Sequence, residues 1–207
     1  MSSMQDVKRT VDKIKTLFSR RRSRQEYAYC AIFVLSHGGI CKGQSGKACQ
    51  SCGGTDSNGK EILLCGSKDH FSMKNDILQK LTLKECPDLE HLPVVGVVRA
   101  CRGNHFNSKE YVVLANEVNT SHLPAWIILN STREGFYDVS SKTDGSKFIE
   151  VFCKRVKEGD DMETLSRHFN ALEITRTVPD PESREGRTFT LEVSVETYGM
   201  KKKFKFY

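Results

Sequence analysis

The chain has 207 residues, 38% of them apolar, and 32 basic against 26 acidic side chains give a net charge of +6. That length suits one domain with a substantial core, and the composition stays globular. No apolar run approaches the roughly 18 residues of a membrane helix, and the opening MSSMQDVKRTVDKIKTLF lacks the apolar stretch of a secretory signal. The expectation is a soluble, cytoplasmic protein with no membrane partner. Its eight cysteines then read as thiols rather than as a disulfide framework. The basic residues are spread along the chain instead of forming one stripe, so no nucleic-acid partner is expected.

Val11, Ile14, Leu17 and Phe18 recur at helical spacing and predict a helix over Val7 to Phe18. The basic run Ser19 to Arg24 reads as a solvated loop, with a nuclear signal as the sharper alternative. Tyr29 to Leu35 is a short continuous apolar run, as in a strand buried on both faces of a parallel sheet. It ends at a turn, Ser36-His37-Gly38-Gly39. Residues 40 to 60, rich in Gly, Ser, Lys and Cys, read as a long exposed insertion.

Ile62 to Cys65 predicts a short strand. Ser72 is placed to cap a helix running to about Leu83, with Ile77, Leu78 and Leu81 inward. Pro93 to Val98 and Trp126 to Leu129 predict two more buried strands. Ser146 is placed to cap a helix over Lys147 to Lys157. A further helix is expected from about Met162 to Ile174. Strict alternation around Phe189, Leu191, Val193 and Val195 predicts a strand, and Lys203 to Tyr207 a final one. Strands alternating with helices imply an α/β sandwich with a mostly parallel sheet.

In open α/β sheets chemistry gathers where parallel strands end. Two predicted strands end at His37 and Cys101, which adjacent strands would bring together. A thiol beside an imidazole is a nucleophile with a base or charge partner, and the thiolate is the reactive form. Gly38 next to the His leaves a backbone N–H free to approach an oxyanion.

The local words carry more. Phe33-Val34-Leu35-Ser36-His37-Gly38 and Val97-Val98-Arg99-Ala100-Cys101-Arg102-Gly103 are joined by Ser131-Thr132 with Gly135-Phe136-Tyr137. Asp144-Gly145-Ser146-Lys147-Phe148 and the terminal Phe204-Lys205-Phe206-Tyr207 follow in order. Together these resemble the caspase family, whose cysteine word is Q-A-C-x-G with a His upstream. The resemblance covers nearly the whole chain. It implies a three-layer α/β/α caspase-like sandwich lacking the family's N-terminal strand. Residues 1–103 would correspond to the large subunit, 104–124 to an uncut linker and 125–207 to the small subunit. Cys101 would be the nucleophile, His37 the general acid/base, and the Gly38 and Cys101 N–H groups the oxyanion hole. The family cleaves after Asp and needs no cofactor or metal.

Three departures stand out against that pattern. Caspases hold the substrate carboxylate with two arginines and the pentapeptide Gln, because a buried charge must be paired. Here the Gln position is Arg99, and the aromatic and arginine positions after Gly135-Phe136-Tyr137 hold Val139 and Ser140. The family's first pocket arginine belongs upstream of the opening helix, where this sequence offers no match. No Asp occurs from Leu89 to Tyr137, the region where family zymogens are cut. A sheet without the family's first strand would also have an unpaired edge, unless its strands close up or a partner completes it.

The expectation is therefore a vestigial Cys101–His37 dyad with Arg99, Val139 and Ser140 as pocket remnants. Such a chain would bind a caspase zymogen through its C-terminal strand (Phe204, Phe206, Tyr207) and restrain its autoactivation, and hence apoptosis. The alternatives are an active cysteine endopeptidase with altered acidic specificity and a truncated chain that does not fold alone. Cys41, Cys49 and Cys52, with Cys65 as a fourth ligand, outline a zinc site that is weighed against free thiols in a loop. The acidic run Glu158, Asp160, Asp161 and Glu163 reads as a solvated turn before a helix.

Overall fold

A computed structural model describes residues 3–19, 27–41, 60–65, 69–102, 121–133, 138, 146–170, 174–178, 187–191 and 193–199. Helix α1 spans Met4–Phe18. It is opened by a capping box in which Ser3 Oγ accepts from the Asp6 N–H and the Asp6 carboxylate accepts from the Ser3 N–H. Its apolar stripe faces the core: Val11 and Phe18 are buried, and Val7 and Ile14 pack beside them.

Among the described residues the central sheet runs in the order β1 (Cys30–Leu35), β5 (Val94–Arg99), β6 (Trp126–Asn130), β9 (Ser194–Tyr198). Strands β1, β5 and β6 run parallel, and β9 closes one side antiparallel to β6. β5 and β6 are Val/Ile-rich and, Arg99 apart, buried throughout, as expected where both faces of a sheet are covered. Alternation along β5 and β6 sends Val94, Val98, Trp126 and Ile128 into a core beneath α1. Val95, Val97, Ile127 and Leu129 enter a second core with Phe148, Phe152, Leu165 and Phe169. Those last four come from α2 (Lys147–Lys157) and α3 (Met162–Asn170). Helices on both faces of a mostly parallel sheet make an α/β/α sandwich, as expected. The segments before and after the 104–124 stretch share this one sheet, since the Val94 N–H donates to Ala125 O.

Several sequence expectations need correction. β1 is not buried on both faces: Ala31, Phe33 and Leu35 are exposed, and among the described residues no strand pairs with its outer edge. The turn at Gly38-Gly39 is instead strand β2 (Gly38–Cys41), antiparallel to β3 (Lys60–Cys65), which pairs with β4 (Asp69–Phe71). The 40–60 insertion thus begins and ends in strand, and its centre lies outside the described residues. Cys41 pairs with Lys60 at one end of this ladder and Cys65 lies at the other. At about 3.4 Å per residue they stand on the order of 17 Å apart, too far to share one zinc ion. Cys65 is instead buried among apolar side chains, while Cys49 and Cys52 lie outside the described residues.

Ser72 does cap a helical segment, its Oγ accepting from the Asn75 N–H. That segment is a π turn, Met73–Ile77, followed by a 3-10 turn, Leu78–Lys80, and stops short of Leu83. Leu81 leaves helical geometry, and Thr82 starts a new turn by accepting from Glu85 and Cys86. Ile77, Leu78 and Leu81 are nevertheless buried. α3 ends at Asn170, and Ile174 opens strand β7 (Ile174–Val178), where a β-branched run outweighs the helical period. The alternating stretch is divided: β8 (Arg187–Leu191) pairs with β7, while β9 joins the central sheet. The acidic run forms a turn before a helix as expected, though Asp160 is half-buried against His168 Nδ1 at 3.0 Å rather than solvated. Gly159, at φ +79, ends α2, and Asp161 accepts from the Thr164 N–H at the start of α3.

Candidate active site

β1 and β5 run in register to Leu35↔Arg99, and the Ser36 N–H still donates to Arg99 O. His37 and Cys101 each lie two residues beyond that last pair, so parallel pairing places both at one end of the sheet. The His37 carbonyl then accepts from the Leu64 N–H at 2.7 Å, which starts the β2–β3 ladder. The His37 side chain is exposed and borders a cavity between α1 and β1. Gly38 packs directly on the Cys101 segment. A Cβ there would collide with the Cys101 carbonyl oxygen and crowd Ile62 O and the Ala100 methyl, so this close approach requires glycine.

The main chain of Asp138 holds the thiol from two sides. Its N–H donates to Cys101 Sγ at 3.4 Å, and its carbonyl lies 3.6 Å from the same sulfur as acceptor. The Asp138 side chain is only 2% exposed and reaches Arg99, with 2.6 Å between Arg99 Nε and Asp138 Oδ2. This is a close charge contact and not an aligned Nε–H hydrogen bond. Burial is the largest influence on Cys101 and raises its thiol above the ordinary value. The Asp138 carboxylate also raises it, and the Asp138 N–H and the Arg99 guanidinium offset these only in part. Reactive cysteines are usually shifted the other way, toward thiolate.

Behind the thiol lies a second ionic cluster. Arg102 is almost fully buried and donates to Glu196 Oε1 at 2.8 Å and to Ser194 Oγ at 2.9 Å. Glu196 also accepts from Asn130 Nδ2 and from the Tyr198 hydroxyl, and Lys74 Nζ lies 3.2 Å from it. Burial alone would raise the Glu196 carboxyl, but Arg102 and Lys74 outweigh it and hold it below the usual carboxylate range. Ser131 joins the strand ends, donating its N–H to Val98 O and accepting from the Ala100 N–H.

The family model described as Caspase domain matches residues 3–187. The chain belongs to the caspase family. A solved structure with a similar fold is caspase-1 from Spodoptera frugiperda, at TM-score 0.61 and 15% identity. The alignment covers 93% of this chain and 66% of that one, so this chain spans just under two thirds of its length. No match to a curated protein was found. Within this caspase domain, the residues assigned by resemblance to nucleophile, base and oxyanion hole lie at the same end of the sheet, with the Cys101 sulfur against the Asp138 main chain and the His37 side chain at the cavity beside α1. Arg99 is in the same place. Val139, Ser140, Phe204, Phe206 and Tyr207 lie outside the described residues.

Asp138, Arg102 and Glu196 were not anticipated as site residues. One signal for Asp138 was available: an arginine at a buried strand end demands an acid, and Asp138 directly follows the Gly135-Phe136-Tyr137 word. Glu196 gave a weaker signal. It lies on the expected solvent side of an alternating strand, and only tertiary packing turns that position inward.

Proposed function

We propose that this caspase-family chain is a catalytically inactive homologue that acts by binding a genuine caspase zymogen and restraining its autoactivation, and so cell death. The observation that carries the reading is the engagement of Arg99 by the buried Asp138 carboxylate beside a thiol raised above its ordinary value. With Asp138 already against it, the Arg99 guanidinium meets a resident carboxylate before it can meet a substrate's. A thiol kept protonated is a poor nucleophile. Binding through the C-terminal Phe204-Lys205-Phe206-Tyr207 segment would leave a partner zymogen beside a subunit that contributes no turnover.

The test is reconstitution. Purified chain is mixed with a caspase zymogen, and autoprocessing is followed by gel alongside size-exclusion chromatography. A slowed autoprocessing rate and a co-eluting complex, both weakened by Phe204→Ala with Phe206→Ala, are expected. An unchanged rate and separate elution would sink the reading.

A second reading, an active endopeptidase with altered acidic specificity, draws on the placement of Cys101, His37 and Gly38 at one sheet end. A covalent cysteine-directed aspartyl peptide probe separates the two. Labelling at neutral pH that disappears in Cys101→Ala would favour the enzyme.

A further inference from the structure

The residue that engages Arg99 is the same one whose main chain brackets the thiol. Asp138 presents three groups to this strand end: its carboxylate to Arg99, its N–H and its carbonyl to Cys101 Sγ. A thiol and a guanidinium on one strand end, Arg99-Ala100-Cys101, are spaced to receive an acidic residue of a peptide in this same two-point manner. The side-chain carboxylate meets the cation while the residue's own carbonyl lies against sulfur. We infer that Asp138 is a resident pseudosubstrate: an acidic residue of the chain itself that occupies the carboxylate slot and shields the thiol, so that the slot opens to external acidic peptides only when Asp138 is displaced.

This deepens the proposed function, and rests on it to the extent that both assume a closed site. It adds that the closure comes from occupancy of a slot still able to recognise carboxylates. Simple decay of the pocket would not predict this. Two features support occupancy over decay. The Asp138 carboxylate is buried, which is unfavourable for a charge unless a cation receives it, and Arg99 does so. Moreover, the contacts to sulfur come from backbone atoms, so any acidic peptide residue could make them.

The experiment uses the full chain and two fluorescein-labelled peptides, Ala-Ala-Ala-Asp-Ala and its Asn counterpart, with binding read by fluorescence anisotropy. Wild type should bind both weakly and equally. Asp138→Ala should gain a preference for the aspartyl peptide of roughly tenfold to a hundredfold, as expected for a charged hydrogen bond that becomes available. Alkylation of Cys101 by iodoacetamide should accelerate in the same variant. Asp138→Asn, close to the native shape, guards against misfolding and should show the same preference to a smaller degree. Adding Arg99→Gln to either variant should abolish it. Cooperatively folded variants that discriminate no better than wild type would overturn the inference, as would a wild-type chain that already prefers the aspartyl peptide. The two readings fail separately. Zymogen restraint without any gained preference removes the pseudosubstrate alone, and a gained preference without zymogen restraint removes the proposed function alone.

Discussion

Arg99 and Arg102 stand three positions apart on either side of the thiol, and each meets a carboxylate, yet the two pairs are built differently. Glu196 belongs to β9, whose register against β6 is set by strand pairing, and its carboxylate is shared by Arg102, Lys74, Asn130 and Tyr198. Asp138 belongs to neither a helix nor a strand, and its contacts include Arg99 and the sulfur. The first arrangement joins elements of the fold. The second closes a surface that would otherwise face a ligand. A buried ion pair near a catalytic-looking cysteine is therefore not informative by itself, and what matters is which elements its partners belong to.

That contrast breaks most visibly at Glu196. Glu196→Ala should leave the buried Arg102 charge without its main partner, at about 3–5 kcal/mol. Chemical denaturation would read this as a lower midpoint with unchanged slope. The pH dependence follows from the direction of the shift. The Glu196 carboxyl is held below its ordinary value in the folded state, so its contribution is present above the unfolded value and fades as pH falls through the folded one. Wild type should therefore lose this stabilisation only in acid, below roughly pH 4. Glu196→Gln should lack that part of the acid dependence. A Glu196→Ala chain as stable as wild type would mean the network is ornamental.

Gly38→Ala comes next. The added methyl would meet the backbone carbonyl of Cys101, which cannot rotate away, and also Ile62 O. Overpacking of this kind typically costs about 1–3 kcal/mol. Gly39→Ala is the matched control, since nothing lies near a Cβ there. Thermal unfolding of the two variants should separate them, and equal midpoints would contradict the packing of His37-Gly38 onto Cys101.

Arg99→Ala should have a smaller effect on stability, about 1–2 kcal/mol, through loss of a charge-assisted contact to a group that can relax or protonate. The sharp form of the comparison is the order Glu196→Ala above Arg99→Ala in destabilisation, measured in one buffer. Reversal of that order would make the Arg99–Asp138 pair the structural one.

Much of this architecture is legible in the sequence, for physical reasons. Val94–Arg99 and Trp126–Asn130 are short apolar runs buried on both faces, as a covered parallel sheet predicts, while Cys30–Leu35 reads the same way and is, among the described residues, an edge strand with one face exposed. Ser146 with Phe148 and Phe152 announces α2 by cap and period. What was not legible depends on pairing between distant segments. Gly38-Gly39 reads as a turn because glycine has no local strand preference, and β2 exists only because β3 pairs with it. Ile174 fits the tail of a helical period and belongs instead to β7. At the site, the strand-end words locate His37, Gly38, Arg99 and Cys101. They are silent on Asp138, because the family's pocket positions correspond to Val139 and Ser140, the two residues after it.

The smallest effect should appear at the thiol, and it would show in reactivity while leaving stability nearly untouched. Burial and the neighbouring Asp138 carboxylate raise the Cys101 thiol above the ordinary value, so thiolate forms only in the alkaline range. Alkylation of Cys101 by iodoacetamide, read by mass spectrometry after digestion, should be slow at pH 7. It should then climb about tenfold per pH unit through the ordinary thiol range near 8.5 without levelling off. Cys153, exposed on α2, provides the internal reference within the same sample. A plateau for Cys101 at or below neutral pH would mean that an imidazolium holds it as thiolate. The His37–Cys101 pair would then be a working dyad, and the balance would move from regulator to peptidase.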